Sequence, residues 1–465
     1  MLALAALQIA TAFPPVLIPK PKSVLLDYSQ PVQITGAWTF PAGRPKFFEV
    51  FTQFLGNRFT GDWANQKAAP VSFDGGIIDR KMPEGHYRIR ISPTQVSVFG
   101  QGAAGLRNGM IKLSQLAVVS NSKLILPTGE VTDTPVRDFR GVHLFVGPQA
   151  LGFHKKLWTN VLRPMQFNYV LLECSRTRWK ALGADAPKEY MSVADLRELV
   201  KFYRSIEVEP IPLVQSFGHM EWLTTIPRYK QLTVNPDIAY TLDPRKPATE
   251  EFLKELWTEV QDVFKPKTIH FGGDEIDMRG IEPKDPALTT ELWKAMMPIY
   301  DRIRKQHKVQ MMLWGDKALA PSEAIDAGFG DNEVEARKRR EAIPRGAMIT
   351  DWHYKAEPKH GPFLSSLQTW KVAGFTPIAA SWFRPENIKG LYTAADVEQV
   401  GTLITSWAGY ESNEANMRKE QKQFDAMILA GDFTWSARTE YLSELPYDPA
   451  KVFESLYNPT PVAVK

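Results

Sequence analysis

Asp274 and Glu275 stand side by side after Gly272-Gly273, at the end of the apolar run Thr268-Ile-His-Phe271. Adjacent residues of a regular strand point to opposite faces, so both carboxylates can enter one pocket only where the strand breaks. The two glycines supply that break and clear space for a ligand to approach. Two carboxylates held in a water-poor site titrate apart, one charged and one protonated. Such a pair can protonate a leaving oxygen while steadying positive charge, the division of labour in glycoside cleavage. The same two residues could also serve as N-cap carboxylates of the next helix. His270 fits either a satisfied core histidine or a partner that tunes the acid, and spacing leaves both open.

The chain holds 13 Trp and a single Cys, Cys174. Trp314, Trp352, Trp382 and Trp407 each close a short apolar run. One such Trp would be core packing. Four at equivalent places suggest the walls of a pocket for a ring-shaped ligand, because the CH groups of a sugar pack against an indole face. Other polar residues near these ends are His219 after Gln215-Ser-Phe-Gly, Asp316 after Trp314-Gly, and Tyr354 after Asp351-Trp352-His.

The elements that must position these groups follow from periodicity. Residues 13–134 alternate like half-buried antiparallel strands, as in His86–Ile91 and Gln95–Phe99. The glycines of Gly100–Gly109 predict a helix packed tightly on that sheet, since no Gly-Lys-Ser/Thr follows to make a phosphate loop. After Pro135 the pattern changes to short apolar runs separated by amphipathic helices. The predicted strands are Phe139–Leu144, Asn168–Glu173, Val208–Gln215, Thr268–Phe271, Val309–Trp314, Ala347–Trp352, Thr376–Trp382 and Thr402–Trp407. Leu196, Leu199, Val200 and Tyr203 share one face of a helix started by Ser192 with Asp195. Eight strands with interleaved helices predict an α/β fold, a (β/α)8 TIM barrel over 135–465 preceded by a small α+β domain over 13–134. Chemistry in such a barrel sits at the C-terminal strand ends. Lys338-Arg339-Arg340 reads as a solvated helix face.

Composition limits the alternatives. A 44% hydrophobic and 23% charged chain is globular, and one thiol excludes a disulfide framework. A net charge of +4 over 465 residues is too dilute to indicate nucleic acid or an anionic membrane surface. Residues 1–12 form an apolar run ending Ala10-Thr11-Ala12, which reads either as a signal peptide lacking its basic start or as an ordinary apolar end. The first reading places the protein outside the cell or in the periplasm, the second in the cytoplasm.

The run His270-Phe-Gly-Gly-Asp274-Glu275 resembles the His-x-Gly-Gly-Asp-Glu signature of glycoside hydrolase family 20, the β-N-acetylhexosaminidases. Arg140-Gly141 is similar to that family's first-strand Arg-Gly, and Pro212–His219 to its third-strand segment in the form of the hexosaminidase D-like subgroup. The resemblance implies a retaining, substrate-assisted mechanism on terminal β-linked GlcNAc or GalNAc. The substrate's 2-acetamido oxygen attacks its own anomeric carbon, giving an oxazolinium ion. It implies that Asp274 orients that group and that Glu275 is acid and then base. Trp314, Trp352, Trp382 and Trp407 would wall the sugar and Arg140 would hold its hydroxyls. No metal or organic cofactor is implied, and the expected partner is a carbohydrate. Departures from the pattern are Gln215, Glu173-Cys-Ser-Arg176, Phe145 and Trp407-Ala-Gly409 with Glu411 beyond. Glu173 or Glu411 is expected to take over some of the missing sugar contacts. These changes also motivate the alternative of a non-hydrolytic glycan-binding protein on the same barrel.

Overall fold

The computed structural model describes residues 15–78, 81–278 and 284–464. The apolar run at 1–12 therefore lies outside the described residues. Two compact units partition the chain. One comprises residues up to Asp138, Lys156–Phe167 and Asp425–Lys465; the other comprises Phe139–Lys155 and Asn168–Phe424. The boundary expected at 134/135 thus falls at 138/139, and the last 41 residues group with the first unit rather than with the barrel.

The first unit is built on a seven-stranded sheet in the order β1-β8-β5-β6-β4-β2, with β7 pairing β8. Its strands are β1 (Ser23–Gln33), β2 (Trp38–Thr39), β4 (Val71–Ile78), β5 (Tyr87–Ile91), β6 (Gln95–Gln101), β7 (Val118–Ser120) and β8 (Lys123–Asp133). The sheet is mixed: the two segments whose alternation reads as antiparallel do pair that way, and parallel pairs adjoin them. β5 and β6 form a hairpin, but β4 joins on the β6 side and runs parallel to it. The helix Gly102–Leu116 lies on this sheet as its glycines predict: a Cβ on Gly105 would come 2.2 Å from the His86 carbonyl oxygen. β3 (Phe59–Gly61) pairs in parallel with β17 (Val462–Val464), so residues from both ends of the described chain close one core.

The second unit is a closed parallel barrel of eight strands. They are β9 (Arg140–Phe145), β10 (Tyr169–Glu173), β11 (Glu209–Leu213), β12 (Thr268–His270), β13 (Gln310–Trp314), β14 (Met348–Trp352), β15 (Thr376–Ser381) and β16 (Gly401–Ile404). Each overlaps its predicted run. They form because short, nearly continuous apolar segments suit strands covered on both faces. Leu171, Ile211, Met312, Trp314, Ile378 and Leu403 fill the interior. Between β10 and β11 the helix Val193–Ser205 starts on Ser192, whose Oγ accepts from the Asp195 N–H and donates to its carboxylate. Leu196, Leu199, Val200 and Tyr203 of that helix are buried. Arg339 is not solvated as its basic run predicts. Its guanidinium is fully buried and donates to Thr290, the carbonyls of Lys317 and Pro286, and Asp331. No helix among the described residues is long and apolar enough to cross a membrane.

Candidate active site

A cavity of about 570 Å³ opens where the barrel strands end. Its floor at β12 is set by a backbone reversal. Gly272 and Gly273 have φ of 76° and 89°, and Glu275 has φ of 46°. A Cβ on Gly272 would lie 2.0 Å from Gln215 Oε1, so a side chain there would displace the amide that bonds Asp274 as well as strain the backbone. The reversal brings Asp274 and Glu275 into the same cavity. The next described helix begins at Pro286 and is capped by Asp285, so the pair is not its N-cap.

His219 stands between the two carboxylates. Its Nε2 lies 3.4 Å from Asp274 Oδ2 and 3.5 Å from Glu275 Oε2. Burial alone would lower the imidazole pKa, but Asp274 and Glu275 outweigh it and hold the ring protonated, far above its usual range. Tyr240 Oη sits 3.1 Å from His219 Nδ1 and donates to the Glu275 carbonyl. Asp274 is buried, which opposes ionisation. His219 and the Gln215 amide, donating at 3.1 Å, outweigh that cost and hold the carboxyl below the usual range. The Glu275 side chain remains 48% exposed. The site therefore presents one fixed carboxylate beside one accessible carboxyl.

The carboxyls that rise are others. Asp316 is buried beneath the pair, accepts the Glu275 N–H at 2.9 Å, and is pushed up to about 7 by burial and by Asp274. Glu173 lines the cavity and is likewise pushed up to about 7, chiefly by burial. Its Oε1 accepts from Ser175 and from Tyr410 Oη.

Trp352, Tyr354, Trp382 and Trp407 form the aromatic wall. Trp352 and Tyr354 stack at 4.8 Å, and Trp407 Nε1 donates to Tyr354 Oη. Gln423 ties two walls together, its Oε1 accepting from Trp382 Nε1 and the Trp407 N–H. Behind the wall Asp326 bonds His353 Nδ1 at 2.6 Å and accepts the N–H groups of Tyr354 and Lys355. His353 also meets Ser366 and Asp351. Burial would lower the His353 pKa, but Asp351 and Asp326 push it up to about 9. A raised histidine stabilises the fold fully below its unfolded pKa of about 6.5 and loses that contribution as pH rises through about 9. Asp326→Asn is expected to cost about 1–3 kcal/mol at pH 6. The deficit against the unsubstituted protein should shrink towards pH 10, as urea unfolding across that range will read. A deficit independent of pH would refute the role assigned to the pair.

Several residues expected at the site lie elsewhere. Trp314 is fully buried among His143, His270 and Trp407 in the barrel interior and does not line the cavity. Strand alternation sends this last residue of β13 inward, below the rim. Arg140 is the first residue of β9, buried at the opposite end of the strand from Phe145, which does line the cavity. His270 is buried, accepts the Gly272 N–H at Nδ1, contacts Thr350 Oγ1 at Nε2, and is pushed down to about 3 by burial. It is a neutral brace for the reversal. Glu411 is exposed and lines a neighbouring cavity. Conversely, Glu221, Trp222 and Tyr410 line the main cavity and carry no sequence signal: the first two sit on the four-residue helix Glu221–Thr224, too short to show a period, and Tyr410 lies in the loop after β16. Among the described residues no group of three or more His, Cys, Asp or Glu is placed to hold a metal ion.

Comparison with known proteins bears on the same segment. Residues 166–324 match the family described as glycosyl hydrolase family 20, catalytic domain. The chain is 28% identical over 376 residues to a lacto-N-biosidase of Bifidobacterium bifidum, covering 75% of this chain and 33% of that protein. It is 24% identical over 335 residues to a β-hexosaminidase of Akkermansia muciniphila, covering 63% of each. It thus spans less than two thirds of the curated relatives it matches. Among solved structures, a mutant Streptomyces plicatus β-hexosaminidase in complex with GlcNAc superposes with a TM-score of 0.70 at 15% identity, over 98% of both chains. A β-N-acetylhexosaminidase from Bacteroides fragilis gives 0.67 at 17%, over 92% of both. The matched segment, residues 166–324, carries Gln215, His219, Asp274 and Glu275 and is similar to the catalytic domain of glycosyl hydrolase family 20.

Proposed function

We propose that the protein is a retaining β-N-acetylhexosaminidase that cleaves the bond between a β-linked 2-acetamido sugar and its leaving group, with the acetamido oxygen as internal nucleophile. One observation carries the reading: Asp274, held ionised, and the accessible Glu275 share a cavity walled by Trp352, Tyr354, Trp382 and Trp407. Asp274 accepts the acetamido N–H and balances the positive charge of the oxazolinium ion. Glu275 gives its proton to the leaving oxygen, then takes one from the water that opens the ring. His219 keeps the paired carboxylates close by offsetting their repulsion. The relatives named β-hexosaminidase support the substrate class. Location outside the cytoplasm is part of the proposal and rests on the apolar run at 1–12. Aryl β-GlcNAc and β-GalNAc glycosides should be turned over with β-configured sugar as first product, read by NMR. Sugar binding without turnover of any 2-acetamido glycoside would leave only a glycan-binding barrel.

A further inference from the structure

The first unit has a cavity of its own, of about 360 Å³, lined by residues 20–22, 133–136 and 436–440. Its walls are fixed by acceptors that are already in use. Asp133 Oδ1 accepts the N–H groups of Lys22 and Thr134, and its Oδ2 accepts from Tyr87 Oη and Trp435 Nε1. Asp432, behind the wall, accepts the Lys20 N–H at 2.8 Å and Tyr447 Oη at 2.6 Å. Ser436 Oγ donates to the Lys20 carbonyl, and the buried Lys112 ammonium donates to the Pro19 carbonyl. The segment 19–22 is thus pinned to the core of this unit, and the cavity is preformed.

The groups still unused are donors. The Arg438 side chain is only 3% exposed. Its Nη1 donates to Glu440 at 3.2 Å, its Nε meets Asp432 as an ion pair outside hydrogen-bond geometry, and its Nη2 meets no acceptor among the described residues. The Lys22 ammonium and the Thr439 hydroxyl likewise meet none among the described residues, whereas Lys20 pairs with Glu440. Lys20, Lys22, Lys112 and Arg438 stand against Asp133, Asp432 and Glu440, four cations to three anions. A buried guanidinium left open on one edge calls for an acceptor from outside the protein. Its planar fork matches a carboxylate, and the excess of one positive charge matches a single one. Pro21, Pro135 and Val136 set apolar surface beside these donors. A bare carboxylate would leave that surface and most of the volume unused. An acidic sugar fits all three features, with its carboxylate on Arg438 and Lys22, a hydroxyl on Thr439 and its CH groups on the proline rings.

We infer that this cavity binds an acidic sugar, a uronic or sialic acid residue of a glycan, through its carboxylate. The first unit is then a glycan-binding module in its own right, and Arg438 and Lys22 are the residues that recognise the charge. Binding there uses neither Asp274 nor Glu275, which belong to the other unit, so it stands or falls separately from hydrolysis.

The test titrates the intact chain with methyl β-glucuronide, methyl α-N-acetylneuraminide, methyl β-glucoside, acetate and inorganic phosphate, and reads affinity by isothermal calorimetry. One of the two acidic sugars should bind at least tenfold tighter than the glucoside and tighter than either simple anion; the one that binds better identifies the source. Lys22→Glu, at an exposed position and checked for an unshifted Tm, should weaken that binding at least fivefold. Arg438→Gln should weaken it further where its Tm shows a folded chain. No saturable binding of either acidic sugar overturns the site, as does equal affinity for acidic and neutral sugars or binding unchanged by Lys22→Glu. Acetate or phosphate bound as tightly as the acidic sugars would leave an anion site without sugar contacts and overturn the assignment as well.

Discussion

Asp274→Asn should lower kcat/KM by about 10²–10³-fold, and by a similar factor for every leaving group. The residue works because it is charged where charge is costly. Burial opposes its ionisation, and His219 and Gln215 hold it ionised nonetheless. Asn keeps the shape and an acceptor but removes the charge that the oxazolinium ion needs. It also leaves His219 with Glu275 as its remaining carboxylate at that nitrogen. The C1–O bond to the leaving group breaks as the acetamido oxygen bonds to C1, and both need the charge of Asp274, so a better leaving group does not repair the loss. A series of aryl glycosides of graded phenol acidity provides the measurement. Near-normal rates in the variant would exclude participation of the acetamido group assisted by Asp274.

Glu275→Gln should behave in the opposite way across the same series. General acid catalysis contributes about 10²–10⁴-fold, so the loss should approach that range for alkyl and sugar leaving groups. It should nearly vanish in the first step for a dinitrophenyl leaving group, which departs without a proton. Turnover would then stall at the second step, where water needs a base, and an added azide ion should restore it by attacking C1 unaided. Uniform loss over the series would show that Glu275 binds rather than transfers a proton. The half-exposed side chain suits this proton traffic, and Asp316 beneath it fixes the backbone N–H from below.

The barrel was readable because each strand is a short apolar run flanked by amphipathic helix, and burial on both faces leaves that pattern little ambiguity. The reversal at Gly272-Gly273 was readable for the same kind of reason, since two adjacent carboxylates cannot share a pocket from a regular strand. Depth along a strand was not. Trp314 and Trp407 look alike as run-ending tryptophans, yet one is interior and the other lines the cavity. β16 ends at Ile404, three residues before Trp407, whereas β13 runs through Trp314 itself. Arg140 failed similarly: its type suits a sugar hydroxyl, but its position at the start of β9 puts it at the wrong end. Trp222, on a four-residue helix, and Tyr410, in a loop, were beyond reach, because neither setting shows a period that places a side chain. Arg339 looked solvated because the basic run hides which of three consecutive residues faces inward; two of its partners, Thr290 and Pro286, are distant in sequence.

The pairing of β3 with β17 has a consequence for biogenesis. Synthesis proceeds at about 5–20 residues per second, so Phe59–Gly61 waits on the order of half a minute for Val462–Val464 to be made. Over that interval the whole barrel sequence leaves the ribosome. The first unit to be started is therefore the last that can be finished, and its unpaired edge is the part of the nascent chain that a chaperone has most reason to cover.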